Sequence, residues 1–186
     1  MCTSLAVCKP HNFACILQQV MKIITKFTLS TGVDVLLMLT KELAIEKYAS
    51  MLEERLLTSY ITQHFNKEAL IAETNNMSNQ WLVVYVDDQP AGYARITSKG
   101  KRPRVLDGKR AIRIADFGVL QKYPEPAVRE SLIEKCLAVC RSFEGIWINE
   151  HSSSPLIGFF ESKGFSRQEE AFQLDELPGT SVCLIA

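Results

Sequence analysis

The sequence offers no long apolar run, no net charge and almost no metal-ligating pattern. Lys+Arg and Asp+Glu stand at 21 each in 186 residues, so no global field favours nucleic acid or an anionic membrane. The cysteines at 2, 8, 15, 136, 140 and 183 form no C-x-x-C pair and complete no zinc quartet with histidine. Cys136 and Cys140 fall one helical turn apart in an apolar stripe and read as small core residues. This usage suits a reducing compartment, and a cytoplasmic location is expected. Residues 13–24 are interrupted by Gln18-Gln19 and are too short to span a bilayer. The apolar box at Leu5–Cys8 lacks the basic and long apolar segments of a cleaved leader. Glycine is also missing where an α/β protein would place an anion-binding loop. The strand-to-helix junction in VLQKYPEPAVRESLIEKCL, 119–137, holds Pro124 and Pro126 and no glycine at all.

What is present is the pattern of one ordinary domain. Apolar residues make up 47% and charged residues 23%, which are globular values for a chain able to bury one substantial core. Residues 22–28 alternate and carry β-branched side chains, predicting a first strand. Val33, Leu36, Leu37, Thr40, Leu43 and Ala44 recur at helical spacing. A second helical pattern covers 48–65, and Asn66 is a good N-cap for a short helix over 67–74.

Residues 81–86 are nearly continuously apolar, the mark of a strand covered on both faces. Asp87-Asp88-Gln89-Pro90 supplies a turn, and strands are predicted over 91–97 and 111–120. A helix opened by Pro126 buries Val128, Leu132, Cys136, Val139 and Phe143, and ends at Gly145. A short strand over 146–148, a helix between Ser154-Pro155 and Lys163-Gly164, and strands over 165–174 and 181–185 complete the chain. The basic cluster Lys99, Lys101, Arg102, Arg104, Lys109 and Arg110 reads as a solvated loop. The predicted order is β-α-α-β-β-β-α-β-α-β-β, with a third short helix before the second strand. That is an α/β chain with a mixed sheet and helices on both faces.

Three blocks carry a resemblance: Phe65-Asn66-Lys67-Glu68-Ala69-Leu70, Asn76-Met77-Ser78-Asn79-Gln80 with Tyr85 to Tyr93, and Phe159 to Phe165. In this order and spacing they resemble the GNAT superfamily of acetyl-CoA-dependent N-acetyltransferases, and most the bacterial PaiA-type polyamine acetyltransferases. The resemblance implies a single GNAT-like domain over 21–186. It implies acetyl-CoA as cofactor, a small-molecule or peptide amine as acceptor, and a protein of a kind that commonly forms homodimers.

By the same resemblance, the strand over 111–120 and the turn after it hold the cofactor, through Phe117, Val119, Leu120, Ala127, Val128, Arg129 and Glu130. The family pattern of that turn falls on Pro124, Ala127 and Arg129. The two prolines remove N–H donors, Ala127 and Arg129 carry Cβ atoms where the pattern has glycine, and Glu125 and Glu130 repel a phosphate. Arg129 offers a guanidinium in compensation. The family's strand carboxylates fall on Arg113 and Ala115, and strict alternation turns the neighbouring Asp116 to the opposite face. The family's tyrosine falls on Phe160, and its cofactor-contacting asparagine near Ser153.

Substitute catalytic groups are His151, as a base near the mouth of the strands, and Tyr123 or Tyr93 as acids; Cys183 reads as an inert core thiol. Three readings stand at this point: a working acetyltransferase; a catalytically silent GNAT-like domain with a degenerate cofactor turn, used for binding or regulation; and a protein whose altered turn accepts a different cofactor or acyl chain.

Residues 1–20 read as an extension outside the fold, and Met21-Lys22-Ile23 as a natural start. Intact mass of the native protein is expected to match a chain beginning at Met21. A mass matching all 186 residues would remove that start.

Overall fold

Alternation over 22–28 gives the edge strand β1 (Ile23–Thr28), paired antiparallel with β2 (Asn79–Val86). The computed structural model describes residues 21–168 and 180–186; the extension 1–20 lies outside them. Three helices join these strands: α1 (Val33–Tyr48), α2 (Glu54–His64) and α3 (Lys67–Thr74). The pattern predicted as one helix over 48–65 is broken, because α1 runs on to Tyr48 and Glu53 is extended before α2 starts. Only Leu57 of α2 is buried, so packing does not hold the two helices in line. Asn66 caps α3 as predicted, its Oδ1 accepting the Ala69 N–H at 2.8 Å.

β2 turns into β3 (Gln89–Thr97) through Asp87 and Asp88 alone, both at positive φ (48° and 63°). This is the hairpin geometry whose twist matches the flanking strands. Gln89 and Pro90, predicted in the turn, therefore already belong to β3. β4 (Ala111–Val119) follows antiparallel to β3, then α4 (Pro126–Cys140) and β5 (Gly145–His151), parallel to β4. Gly145 opens β5 instead of closing the helix, and β5 runs three residues past the predicted strand. α5 (Leu156–Ser162), β6 (Ser166–Arg167) and β7 (Ser181–Ile185) complete the described elements. Most of the strand predicted over 165–174 lies outside the described residues.

The strands form one mixed sheet in the order β1-β2-β3-β4-β5-β7-β6. One face is covered by α4 and α5, where Val128, Leu132, Ile133, Cys136, Ile157 and Phe160 pack on Leu82, Val84, Ile114 and Ile148. The other is covered by α1 and α3, where Leu36, Leu39, Leu43 and Leu70 pack on Trp81, Val83 and Tyr93. β2 is thus covered on both sides, as its unbroken apolar run predicts. Each fully buried leucine of α1 contributes roughly 1.5–3 kcal/mol of transfer free energy. No helix among the described residues is long and apolar enough to cross a membrane.

Two irregularities shape the centre of the sheet. Arg95 and Ile96 of β3 face Asp116 and Ile114 of β4, which leaves Ala115 as an extra residue. Such a bulge bends its strand and reverses the alternation beyond it. β4 and β5 then pair only over Ala111–Arg113 and Gly145–Trp147. Past that point they diverge, and among the described residues no strand lies beside the edge of β4 that faces β5. On the other edge of β4, a Cβ added to Gly92 would lie 2.3 Å from the Gly118 carbonyl oxygen and 2.8 Å from Val119 Cα. Backbone atoms cannot yield to it, so Gly92→Ala is expected to destabilise the fold by about 2–4 kcal/mol, measured by denaturant unfolding.

Candidate active site

The divergence of β4 and β5 opens a cleft of about 320 Å³. Its walls are the C-terminal end of α1, the far halves of β4 and β5, and the 153–156 segment that leads into α5. Three charged groups meet there. Lys47 Nζ lies 2.6 Å from Asp116 Oδ1, and Glu150 faces the same cleft from β5. Gly118 eases this approach: a Cβ there would meet the Leu43 methyl groups at 3.0 and 3.1 Å and Lys47 Cε at 3.4 Å, so a side chain at 118 would press on those of α1.

Asp116 is a correction to strict alternation. The extra residue Ala115 sets Asp116 on the α1 face, where it accepts from Lys47, from the Tyr93 hydroxyl and from the Phe117 N–H. Burial would raise its pKa, but the Lys47 charge and hydrogen bond, then the Tyr93 hydroxyl, hold it below the usual aspartate range. Burial likewise opposes charge on Lys47, yet the carboxylates of Asp116 and Glu150 keep that ammonium well above the usual lysine range.

Glu150 behaves differently. Burial pushes its carboxyl above the usual range, with Lys47 and the Ser154 hydroxyl offsetting only part of that. One carboxylate is thus fixed in its charged form, while the other is poised to exchange a proton. Tyr48, also in the wall, is pushed up to about 12 by burial and keeps its hydroxyl proton.

The residues singled out from sequence divide between this cleft and the core. His151 lines the cleft, and its Nδ1 lies 2.7 Å from Ser153 Oγ, which also lines it. Val119 and Arg129 are in the wall as well. Tyr93 is buried and donates its hydroxyl to Asp116, and it is not among the residues lining the cleft. Tyr123 packs between the two cores and is not among the lining residues. Arg113 stacks on Trp147 with its guanidinium carbon 4.8 Å from the ring centroid. Phe117, Leu120, Val128 and Phe160 are core residues, with Phe117 edge-on to Phe160 at 5.3 Å. Cys183 is buried in β7.

The turn between β4 and α4 is sparing with donors. Of the four N–H groups that a helix start leaves unbonded within the helix, Pro126 has none and Val128 donates to the Glu125 carbonyl. Those of Glu125 and Ala127 remain. Glu130 is ion-paired with Lys163, which removes much of its repulsion for an anion. Arg129 lies over the Phe159 ring at 5.4 Å and reaches the cleft. A second cleft, of about 300 Å³, lies beneath α2 and α3. Asp116 stands in the wall of both.

No family model matches the sequence. The fold is that of the GNAT acetyltransferases. A PaiA N-acetyltransferase from Thermoplasma acidophilum, solved with coenzyme A, superposes at a TM-score of 0.70 and 13% identity, over 88% of this chain and 98% of that one. A GCN5-related N-acetyltransferase from Rhodopseudomonas palustris matches at 0.63 and 14%, over 87% and 93%. Naa50 from Arabidopsis thaliana, bound to the bisubstrate analogue CoA-Ac-MVNAL, matches at 0.57 and 14%, over 88% and 97%. At these identities the likeness is one of fold.

The Lys47–Asp116 pair sets a pH dependence. Because the folded-state pKa of Asp116 is lowered, its contribution is present above the unfolded aspartate value and is lost as pH falls through the folded one. Asp116→Asn, which leaves the buried Lys47 charge without its partner, is expected to cost about 3 kcal/mol at pH 7. The gap to the unaltered protein should narrow towards pH 3, as followed by thermal unfolding across pH.

Proposed function

We propose that this protein transfers an acetyl group from acetyl-CoA to a primary amine, a polyamine-like small molecule or a peptide amine. The observation that carries the reading is the divergence of β4 and β5 inside a continuous sheet, with the start of α4 beside the opening. An open strand edge accepts an extended ligand by backbone hydrogen bonds, here the pantetheine arm alongside β4. The neighbouring turn suits the pyrophosphate, despite its prolines. The N–H groups of Glu125 and Ala127 and the Arg129 guanidinium supply donors, and Lys163 neutralises Glu130. Acetyl-CoA supplies the activated acyl group; the protein supplies alignment and a place for the proton.

In this reading Glu150 is the base. Its carboxyl faces the cleft, and burial keeps its proton affinity higher than that of an ordinary glutamate, which suits a group that takes a proton from an amine and returns it to water. As the acetyl carbon bonds the amine nitrogen, the bond to sulfur breaks. The departing thiolate needs little assistance, since a thiol has a pKa of only about 8.5. The absence of a hydroxyl at Phe160 is therefore tolerable, and Tyr48 keeps an O–H in the same cleft. His151, tied to Ser153, stands at the rim as a proton relay. The silent-domain reading rests on three departures together, the proline-bearing turn, the missing carboxylates at Arg113 and Ala115, and Phe160 in place of tyrosine; Asp116 and Glu150 in the cleft weigh against the second of these.

Calorimetric titration is expected to detect acetyl-CoA at micromolar to sub-millimolar affinity, with Arg129→Ala weakening it roughly tenfold. No binding at millimolar ligand would overturn the reading. Glu150→Gln is expected to lower kcat about a hundredfold at pH 7 while leaving acetyl-CoA affinity within a factor of about two.

A further inference from the structure

The cleft is carboxylate-bearing, yet it is poorly arranged for a polycation. Lys47 Nζ already stands 2.6 Å from Asp116, and Glu150 lines the same cleft. An ammonium arriving between the two carboxylates would meet a like charge held there by the fold. The other carboxylates of the two clefts are engaged too. Glu46 accepts the Gln121 N–H at 3.0 and 3.2 Å. Glu73 accepts from Arg95 at 3.1 Å and from Asn79 at 2.7 Å. Asp116 also takes the Tyr93 hydroxyl. Among the described residues lining the two clefts, Asp116 and Glu73 already hold a cationic partner, which leaves only Glu150 and Glu46, the latter bonded to the Gln121 N–H, to face the several charges of a polyamine. Arg129 and His151 in the wall add no attraction for a cation.

We propose that the acceptor is a weakly basic amine that arrives uncharged, of the α-amino type at a peptide N-terminus, and that Lys47 sets this preference by occupying the place of a bound ammonium. The inference rests on the acetyltransferase reading and narrows its substrate. An α-amino group with a pKa near 7.7–8.0 is largely neutral at pH 8, whereas an amine of lysine-like basicity, near 10.4, is almost wholly charged. Lys47 opposes the charged form by like-charge repulsion across the cleft. A single proton acceptor, Glu150, then has little work to do for the first amine and much for the second.

The experiment measures kcat/KM by CoA release with the full chain, using a pentapeptide with a free α-amine and its lysines blocked, and spermidine, from pH 6.5 to 9. The expected result is a preference for the peptide of tenfold or more near pH 7.5, with the peptide rate levelling near pH 8 and the spermidine rate still rising at pH 9. Lys47→Met should raise kcat/KM for spermidine and shrink the preference several-fold. Lys47→Arg, which keeps the charge, should preserve the preference even if Lys47→Met fails to fold. Spermidine preferred by the unaltered protein, or a Lys47→Arg protein that loses the preference, would overturn the inference while leaving acetyl transfer intact. Transfer to neither amine, by protein that does not bind acetyl-CoA in a titration, overturns the parent reading and this inference with it.

Discussion

The extra residue at Ala115 governs how the centre of this sheet is used. Opposite Arg95 and Ile96, it bends β4, and beyond Arg113 no ladder joins β4 to β5. The same insertion moves Asp116 from the α4 face to the α1 face, where it meets Lys47 and Tyr93. A regular β4 would have placed a carboxylate among Ile112, Ile114 and the apolar side chains of α4, at a large desolvation cost. It would also have continued beside β5, with no opening between them. The cleft and its electrostatics follow from one local defect.

The charged groups in the cleft form a graded set. Asp116 is pinned as a carboxylate by Lys47 and the Tyr93 hydroxyl, and Lys47 is pinned as an ammonium by two carboxylates. Glu150 has the weaker support and the raised proton affinity. Two neighbouring acids driven in opposite directions by their surroundings are a common arrangement wherever proton transfer is needed. Here the separation comes from position: Asp116 lies within hydrogen-bond reach of the ammonium, whereas Glu150 feels that charge through space and answers mainly to burial.

Much of the frame was legible from residue order. The Asn66 cap, a turn beginning at Asp87-Asp88, the Pro126 start of α4 and the two-sided burial of β2 each depend on a few adjacent residues, so they could be read directly. Glu150 escaped because Asn149, Glu150 and His151 break the apolar pattern, which made the last turn of β5 look like loop. Lys47 and Tyr48 escape because the apolar pattern of the first helix is read only to Ala44 and Tyr48 reads as the start of a second, whereas both end α1 against the cleft. Asp116 was turned to the wrong face because alternation was assumed to be unbroken, and a bulge at an alanine leaves no mark of its own in the sequence.

The sequence by itself determined the elements, their order, and the chemistry of the α4 turn with its prolines and Arg129. Those depend on local propensity and on the periodicity of apolar side chains, which neighbours along the chain supply. Only the tertiary structure decided that β4 and β5 part, that Lys47 reaches Asp116 past Gly118, and that Glu150 is buried beside them. These contacts join residues 34 to 103 positions apart in the chain, and no local pattern encodes which side chains meet when strand register slips by one.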